Sequence, residues 1–265
     1  MYDFRYERPE TLEEAIDQMR SPDSKLLAGG MSLLPTIKLR LARYDALVDL
    51  TRIDRLRGIR KDGDALVIGA TTRHADVAAS DLVRKTVPAL AALAGGIGDP
   101  LVRNRGTIGG SIANADPAAD YPSSVLGLGA TIVTNRRAID GGAFFTGLFE
   151  TLLESGEIIR EIRYPIPQRA GYAKYPNPAS RFAIVGVFVA KMADGIRVAV
   201  TGAADSVFRL EQAEQVLSHR FAVDALDGMT VSSSGLNADI HTSAEYRAHA
   251  IVVMTRRAVD AALSN

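Results

Sequence analysis

Ala28-Gly29-Gly30-Met31-Ser32 and Thr107-Ile108-Gly109-Gly110-Ser111, the second running straight on into Ala115-Asp116-Pro117-Ala118-Ala119-Asp120, are the stretches on which the fold of this chain turns. Each sets adjacent glycines close to a small hydroxyl residue, so backbone N–H groups can close on an anion with no Cβ in the way. A lone Gly-Gly pair is more often a plain turn. Two such loops, from different halves of one domain, point to a diphosphate held from both sides.

The flanking residues place these loops in an α/β framework. Thr11-Leu12-Glu13-Glu14 is a capping box, opening a helix that runs to about Arg20 and stops at Ser21-Pro22-Asp23. Lys25-Leu26-Leu27-Ala28 reads as a short buried strand delivering the first glycine loop. Ser32 is positioned to cap a helix over 32–41, which would set that loop at a helix N-terminus where the dipole favours phosphate. Strands are predicted over 47–50, 66–69, 128–134 and 157–164, and a helix over 82–94 ended by Gly95-Gly96. Pro165, Pro167 and the stretch 171–178 mark the expected boundary between two domains. Beyond it, 182–192 and 195–202 read as an antiparallel pair turning at Ala193-Asp194-Gly195, and 207–217 as a helix. A second capping box, Thr242-Ser243-Ala244-Glu245, opens a long C-terminal helix.

Composition narrows the functional classes. With 265 residues, 47% of them hydrophobic, the chain can bury a full core. Thirty-one basic residues balance 31 acidic ones, which argues against an electrostatic nucleic-acid binder. No apolar run approaches the ~20 residues needed to span a bilayer, and the N-terminus lacks signal-peptide character. The expectation is a cytoplasmic protein with no transmembrane segment. Cysteine is absent, so disulfides, thiolate zinc sites and cysteine-ligated iron–sulfur clusters are excluded from this chain. His74, His219, His241 and His249 show no metal-ligand spacing and read as structural or exposed; His74, in Thr71-Thr72-Arg73-His74, could approach a bound ligand or a partner. No metal site and no catalytic acid, base or nucleophile is assigned.

The first loop is neither a Rossmann fingerprint nor a P-loop, since Gly-x-Gly-x-x-Gly and Gly-Lys-Ser/Thr are both missing. Asp116 and Asp120 read either as solvated helix-start acids or, for Asp120, as a carboxylate near enough to the second glycine pair to accept a hydrogen bond from a ligand hydroxyl.

Ala28-Gly29-Gly30-x-Ser32 with Leu33-Leu34-Pro35 and Lys38-Leu39-Arg40 resembles the first flavin loop of the molybdenum hydroxylase flavoproteins, the FAD-binding medium subunits of carbon monoxide dehydrogenase and xanthine dehydrogenase type enzymes. Ile97-Gly98-Asp99-Pro100, Val102-Arg103-Asn104-Arg105-Gly106-Thr107-Ile108-Gly109-Gly110 and the run to Asp120 resemble the second loop almost without a break. Phe144-Phe145-Thr146-Gly147, Glu157-Ile158-Ile159, Pro178-Ala179-Ser180-Arg181 and Ser243-Ala244-Glu245-Tyr246-Arg247 match later landmarks. Met31 departs from the polar residue common there, and the segments 217–240 and 135–141 are short against the family.

The resemblance implies an α+β chain: a two-lobed FAD domain of the vanillyl-alcohol-oxidase type over 1–165 (lobes about 1–55 and 56–165), followed by a smaller α/β C-terminal domain of antiparallel strands plus helices over 166–265. It implies non-covalent FAD, with the diphosphate on the backbone of Ala28, Gly29, Gly30, Met31 and Ser32 and of Thr107, Ile108, Gly109, Gly110 and Ser111. Asp120 would contact the cofactor, and Lys174 or Tyr175 would approach its ring. Molybdopterin and [2Fe-2S] clusters would sit only on partners, a molybdenum large subunit and an iron–sulfur small subunit, in a dimer of heterotrimers passing electrons to a terminal acceptor. Two other readings stand beside it: a stand-alone flavin oxidoreductase of related fold, and an assembly or scaffold protein without cofactor.

Overall fold

A computed structural model describes all of residues 1–265. The first lobe is a small parallel sheet. Strands β1 (Arg5–Glu7), β2 (Ser24–Leu27) and β3 (Ala46–Asp49) pair in the order β1-β3-β2. The Thr11 capping box forms as expected and opens the helix Leu12–Gln18. That helix packs Ala15 against Val48, Leu50, Ile53 and Leu56, together with Ile158 from the second lobe.

The second lobe is antiparallel. β4 (Ile59–Asp62), β5 (Ala65–Gly69), β6 (Thr131–Thr134) and β7 (Ala138–Asp140) are followed by the hairpin β8 (Phe145–Gly147) and β9 (Glu150–Thr151), then by β10 (Ile159–Pro165). The sheet order is β4-β5-β10-β6-β7. Six helices sit between β5 and β6, and the second glycine loop lies among them. The helix expected over 82–94 is two, Asp81–Thr86 and Pro88–Gly95, because Pro88 lacks the N–H that would continue the ladder and holds Val87 out of helical conformation. Leu128 ends the helix Tyr121–Leu128 rather than starting a strand; Gly129, in the left-handed region, makes the stop.

The C-terminal sheet has β11 (Arg169–Pro176), β12 (Ala183–Met192), β13 (Gly195–Thr201) and β14 (Phe208–Arg209) in sequence order, all antiparallel. Residues 171–176, expected as part of a boundary, are therefore strand. Gly171 is there for close packing: a Cβ would lie 1.9 Å from the Ala258 carbonyl oxygen of the helix Ala244–Ser264. Residues 207–217 begin as β14 and become helical only at Glu211–His219. The last helix is capped by Ser243, whose hydroxyl accepts the Tyr246 N–H, so the cap falls one residue after Thr242.

β12 explains how the parts hold together. Nine of its ten residues are buried, an apolar run broken only at Lys191. Phe188, Ala190 and Met192 join the largest core cluster, with Leu66, Ile68, Leu90 and Ile132 of the second lobe. Val185, Val187 and Val189 face the opposite way, onto Ala213, Leu217, Ile251, Met254 and Ala258 of the two C-terminal helices. A strand covered on both faces carries no polar alternation. The core is thus continuous across the crossing at 166–168.

Candidate functional site

β2 runs parallel to β3 as far as the Leu27–Asp49 register pair, then turns into the first glycine loop. Gly29 lies against the second lobe, where a Cβ would come within 2.3 Å of the Arg105 carbonyl oxygen. Gly30 takes φ +73°, a conformation side chains disfavour. The loop's carbonyls are in use: Gly30 O accepts the Leu34 N–H at 3.1 Å and Ser32 O accepts the Thr36 N–H at 3.2 Å. Its amides are not. The N–H groups of Gly29, Gly30, Met31 and Ser32 have no acceptor within the protein, although Gly29 and Gly30 are buried. Unsatisfied buried amides are rare because each one costs free energy. Two buried and two exposed free amides in succession make a row of donors suited to an anion. The helix that follows is short, Leu33–Lys38, and the Ser32 hydroxyl does not cap it, contrary to the expectation from sequence.

The second loop differs from what was expected of it. Thr107 caps the helix Ile108–Asn114, its hydroxyl accepting the Gly110 N–H at 3.2 Å. The amides of Ile108, Gly109 and Ser111 already donate to Thr72 O, Ala70 O and Thr107 O, at 3.1, 2.8 and 3.0 Å. Only the Thr107 N–H is left over. A grip by all five amides is thereby corrected. What this loop supplies is a wall without side chains: Gly110 is exposed, and a Cβ there would stand 4.0 Å from that of Ala28. Gly109 is bare for packing, since a Cβ would lie 2.5 Å from the Ala70 Cβ.

The helix ends at Ala115, held at φ +46°, and the chain crosses to the C-terminal sheet. There Pro117 O accepts the Gly202 N–H at 2.8 Å, Ala118 O accepts the Ala183 N–H at 3.1 Å, and Ala119 O accepts the Thr201 hydroxyl at 2.6 Å. This lacing delivers Asp120, 4% exposed, into contact with β11. Its Oδ1 accepts hydrogen bonds from the Tyr172 hydroxyl and from Lys174 Nζ, the latter at 2.8 Å. Oδ2 accepts none from the protein. Burial raises the Asp120 carboxyl pKa, and the Lys174 ammonium and the Tyr172 hydroxyl oppose that rise. Lys174 also donates to Gly96 O at 2.8 Å and Arg181 O at 3.1 Å, so all three of its protons are placed.

Tyr175 is corrected. One residue on from Lys174 along a strand, it points to the opposite face, where its ring sits 5.9 Å from that of Tyr246 beside the C-terminal core. Tyr172, which sequence reasoning did not name, shares the Lys174 face; period-two alternation along β11 was the signal that could have found it. A cleft of about 240 Å³ is lined by Pro117, Ala118, Phe182 and Arg247, with Phe182 exposed.

His74 lies under the second loop, its backbone N–H donating to Gly106 O at 3.0 Å and its ring 5.4 Å from that of Tyr121. Burial holds its pKa down at about 4, with the nearby Arg103 charge adding to the effect. It is therefore neutral at neutral pH. His74 Nδ1 and the Tyr121 hydroxyl are both buried without a partner.

Residues 2–167 match a family described as the FAD binding domain in molybdopterin dehydrogenase. The chain belongs to that family. Its relatives extend the match over the whole length. It is 37% identical to the carbon monoxide dehydrogenase medium chain of Hydrogenophaga pseudoflava, covering 98% of this chain and 96% of that one. Identity to the glyceraldehyde dehydrogenase medium chain of Sulfolobus acidocaldarius is 34%, covering 97% of each. Among solved structures, a carbon monoxide dehydrogenase from Hydrogenophaga pseudoflava that lacks the Mo-pyranopterin moiety of its cofactor superposes with a TM-score of 0.89 at 36% identity, covering 99% of this chain and 98% of that one. The α+β architecture expected from sequence is the one this family shares. The residues present suit FAD: a diphosphate needs donors without competing acceptors, and the first loop offers four. No helix is long and apolar enough to cross a membrane.

Proposed function

We propose that this chain is the FAD-carrying electron-transfer subunit of a molybdenum-dependent hydroxylase or dehydrogenase. The row of amides at Gly29, Gly30, Met31 and Ser32, none with a protein acceptor and the first two buried, carries the reading, because it presents consecutive donors to an anionic ligand. Bound there, FAD would accept electrons singly and deliver them in pairs.

This chain's own residues bind and orient. The first-loop amides would hold the diphosphate, and Gly110 would let the second lobe close over it without a side chain intervening. The free Oδ2 of Asp120 is an acceptor for a cofactor hydroxyl or N–H. Lys174 is committed to Asp120 and to two carbonyls, which makes it a support rather than a ring contact. No nucleophile or metal ligand is required of a subunit whose substrate is oxidised elsewhere.

In this reading an iron–sulfur small subunit delivers the electrons and a molybdenum large subunit oxidises the substrate, three chains forming a heterotrimer that dimerises. The medium-chain names of the relatives support the partners. A cytoplasmic location is part of the same proposal. The test is reconstitution: stripped of cofactor and titrated with FAD, the purified chain should take up one equivalent and show flavin absorbance at about 450 nm. A folded chain that stays colourless in excess FAD overturns the proposal. Co-purification with the two partner polypeptides separates it from a stand-alone flavin enzyme.

A further inference from the structure

Lys174 and Asp120 form a buried ion pair, with side chains 9% and 4% exposed. Such a pair contributes little to stability when its desolvation cost matches its Coulomb gain. Its geometry is therefore more informative than its energy. Both Lys174 and Tyr172 bond the same oxygen, Oδ1, and leave Oδ2 without a protein partner. Lys174 further bonds Gly96 O, at the end of the helix Pro88–Gly95, and Arg181 O, in the turn between β11 and β12. One ammonium thus gathers three separate segments of the chain about one carboxylate.

We propose that Lys174 is a positioning residue: it fixes Asp120 as a carboxylate with Oδ2 turned to the cofactor, and it acts on cofactor affinity through Asp120 rather than by touching the cofactor itself. This rests on the FAD reading above. The other titratable groups around Asp120 are Tyr172 on β11 and Tyr121 beside it in the chain, with Tyr164 and His74 behind Tyr121. All four are uncharged at neutral pH, since burial raises the tyrosines and lowers the histidine. Lys174 is the one cation that balances the carboxylate. Without it, burial would favour the protonated acid, which presents a donor where an acceptor is wanted.

The experiment is a double-mutant cycle on the full chain, Lys174→Met, Asp120→Asn and both together, reading FAD affinity by flavin fluorescence across about pH 6 to 9. Lys174→Met should weaken binding about 10- to 100-fold at neutral pH, the equivalent of one hydrogen bond to a charged group. That loss should shrink as pH rises and the acid ionises, while the parent stays flat. In the Asp120→Asn background the same substitution should cost less than about threefold. A pH-independent loss, or a loss of full size in the Asp120→Asn background, overturns the inference, because it would mean direct contact or simple destabilisation. Lys174→Arg, which keeps the charge, should recover part of the affinity and the flat pH profile; a failure of Lys174→Met to weaken binding at all also overturns it. If the parent chain itself binds no FAD, the wider reading has failed instead.

Discussion

Replacing Gly29 with alanine tests the contact between the two lobes. The added Cβ would stand 2.3 Å from Arg105 O, 2.7 Å from Gly106 Cα and 2.8 Å from the Arg105 carbonyl carbon, all backbone atoms that no rotamer change can move. Ordinary contact begins at 3.4 Å, so the loops must part by about 1 Å. Because the clash falls on the loop's own first donor, relieving it would pull the Gly29 amide out of line with its neighbours, and a bond of about 2.9 Å from it to a phosphate oxygen would be lost. Loss of one such bond to a charged group is worth about 1.5–3 kcal/mol, or about 10- to 150-fold in Kd. The strain should also lower the stability of the cofactor-free chain by about 1–3 kcal/mol. Fluorescence titration with FAD gives the first quantity, and denaturant unfolding of the cofactor-free chain the second. A variant that is destabilised yet binds FAD as tightly as the parent would refute the reasoning, since parted loops would then hold the diphosphate equally well.

Three further outcomes follow from the same geometry. Gly110→Val should abolish FAD retention, measured as the flavin-to-protein absorbance ratio after gel filtration. The cause is bulk against Thr107 Oγ1, 2.8 Å from the built Cβ, and against the Ala28 side, because Gly110 needs no positive φ here. Asp120→Ala should weaken FAD binding by about 1.5–3 kcal/mol, read by calorimetry; unchanged affinity would leave Oδ2 without a role. The cofactor-free chain should lose stability as pH falls from 6.5 toward 4. His74 is held neutral to about 4 in the fold and titrates at 6.5 when unfolded, so the unfolded state takes the proton first. The limit is about 3 kcal/mol, and His74→Leu should flatten that part of the curve in urea denaturation at stepped pH.

The framework of the fold was legible because its signals are local. The Thr11 capping box, the turn at Ala193-Asp194-Gly195 and the apolar run of β12 each depend on neighbours in sequence. The misreadings arose where a tertiary partner decides. Residues 171–176 look like a linker until the C-terminal helix packs on Gly171, and Phe208–Arg209 becomes strand only because β13 offers an edge. The site divides the same way. Both glycine loops could be found from residue type alone, as could Asp120. Which amides are spare could not, since Thr72 O and Ala70 O, which occupy the second loop's N–H groups, come from a segment far back in the chain. Nor did the sequence separate Lys174 from Tyr175 until the strand register put them on opposite faces.

Amide hydrogen exchange, with and without FAD, tests the spare donors most directly. The amides of Gly29, Gly30, Met31 and Ser32 should exchange quickly in the cofactor-free chain and slow markedly on loading, while those of Ile108 and Gly109, already bonded, should change little. Undiminished exchange at 29–32 in a chain that demonstrably holds FAD would place the diphosphate elsewhere.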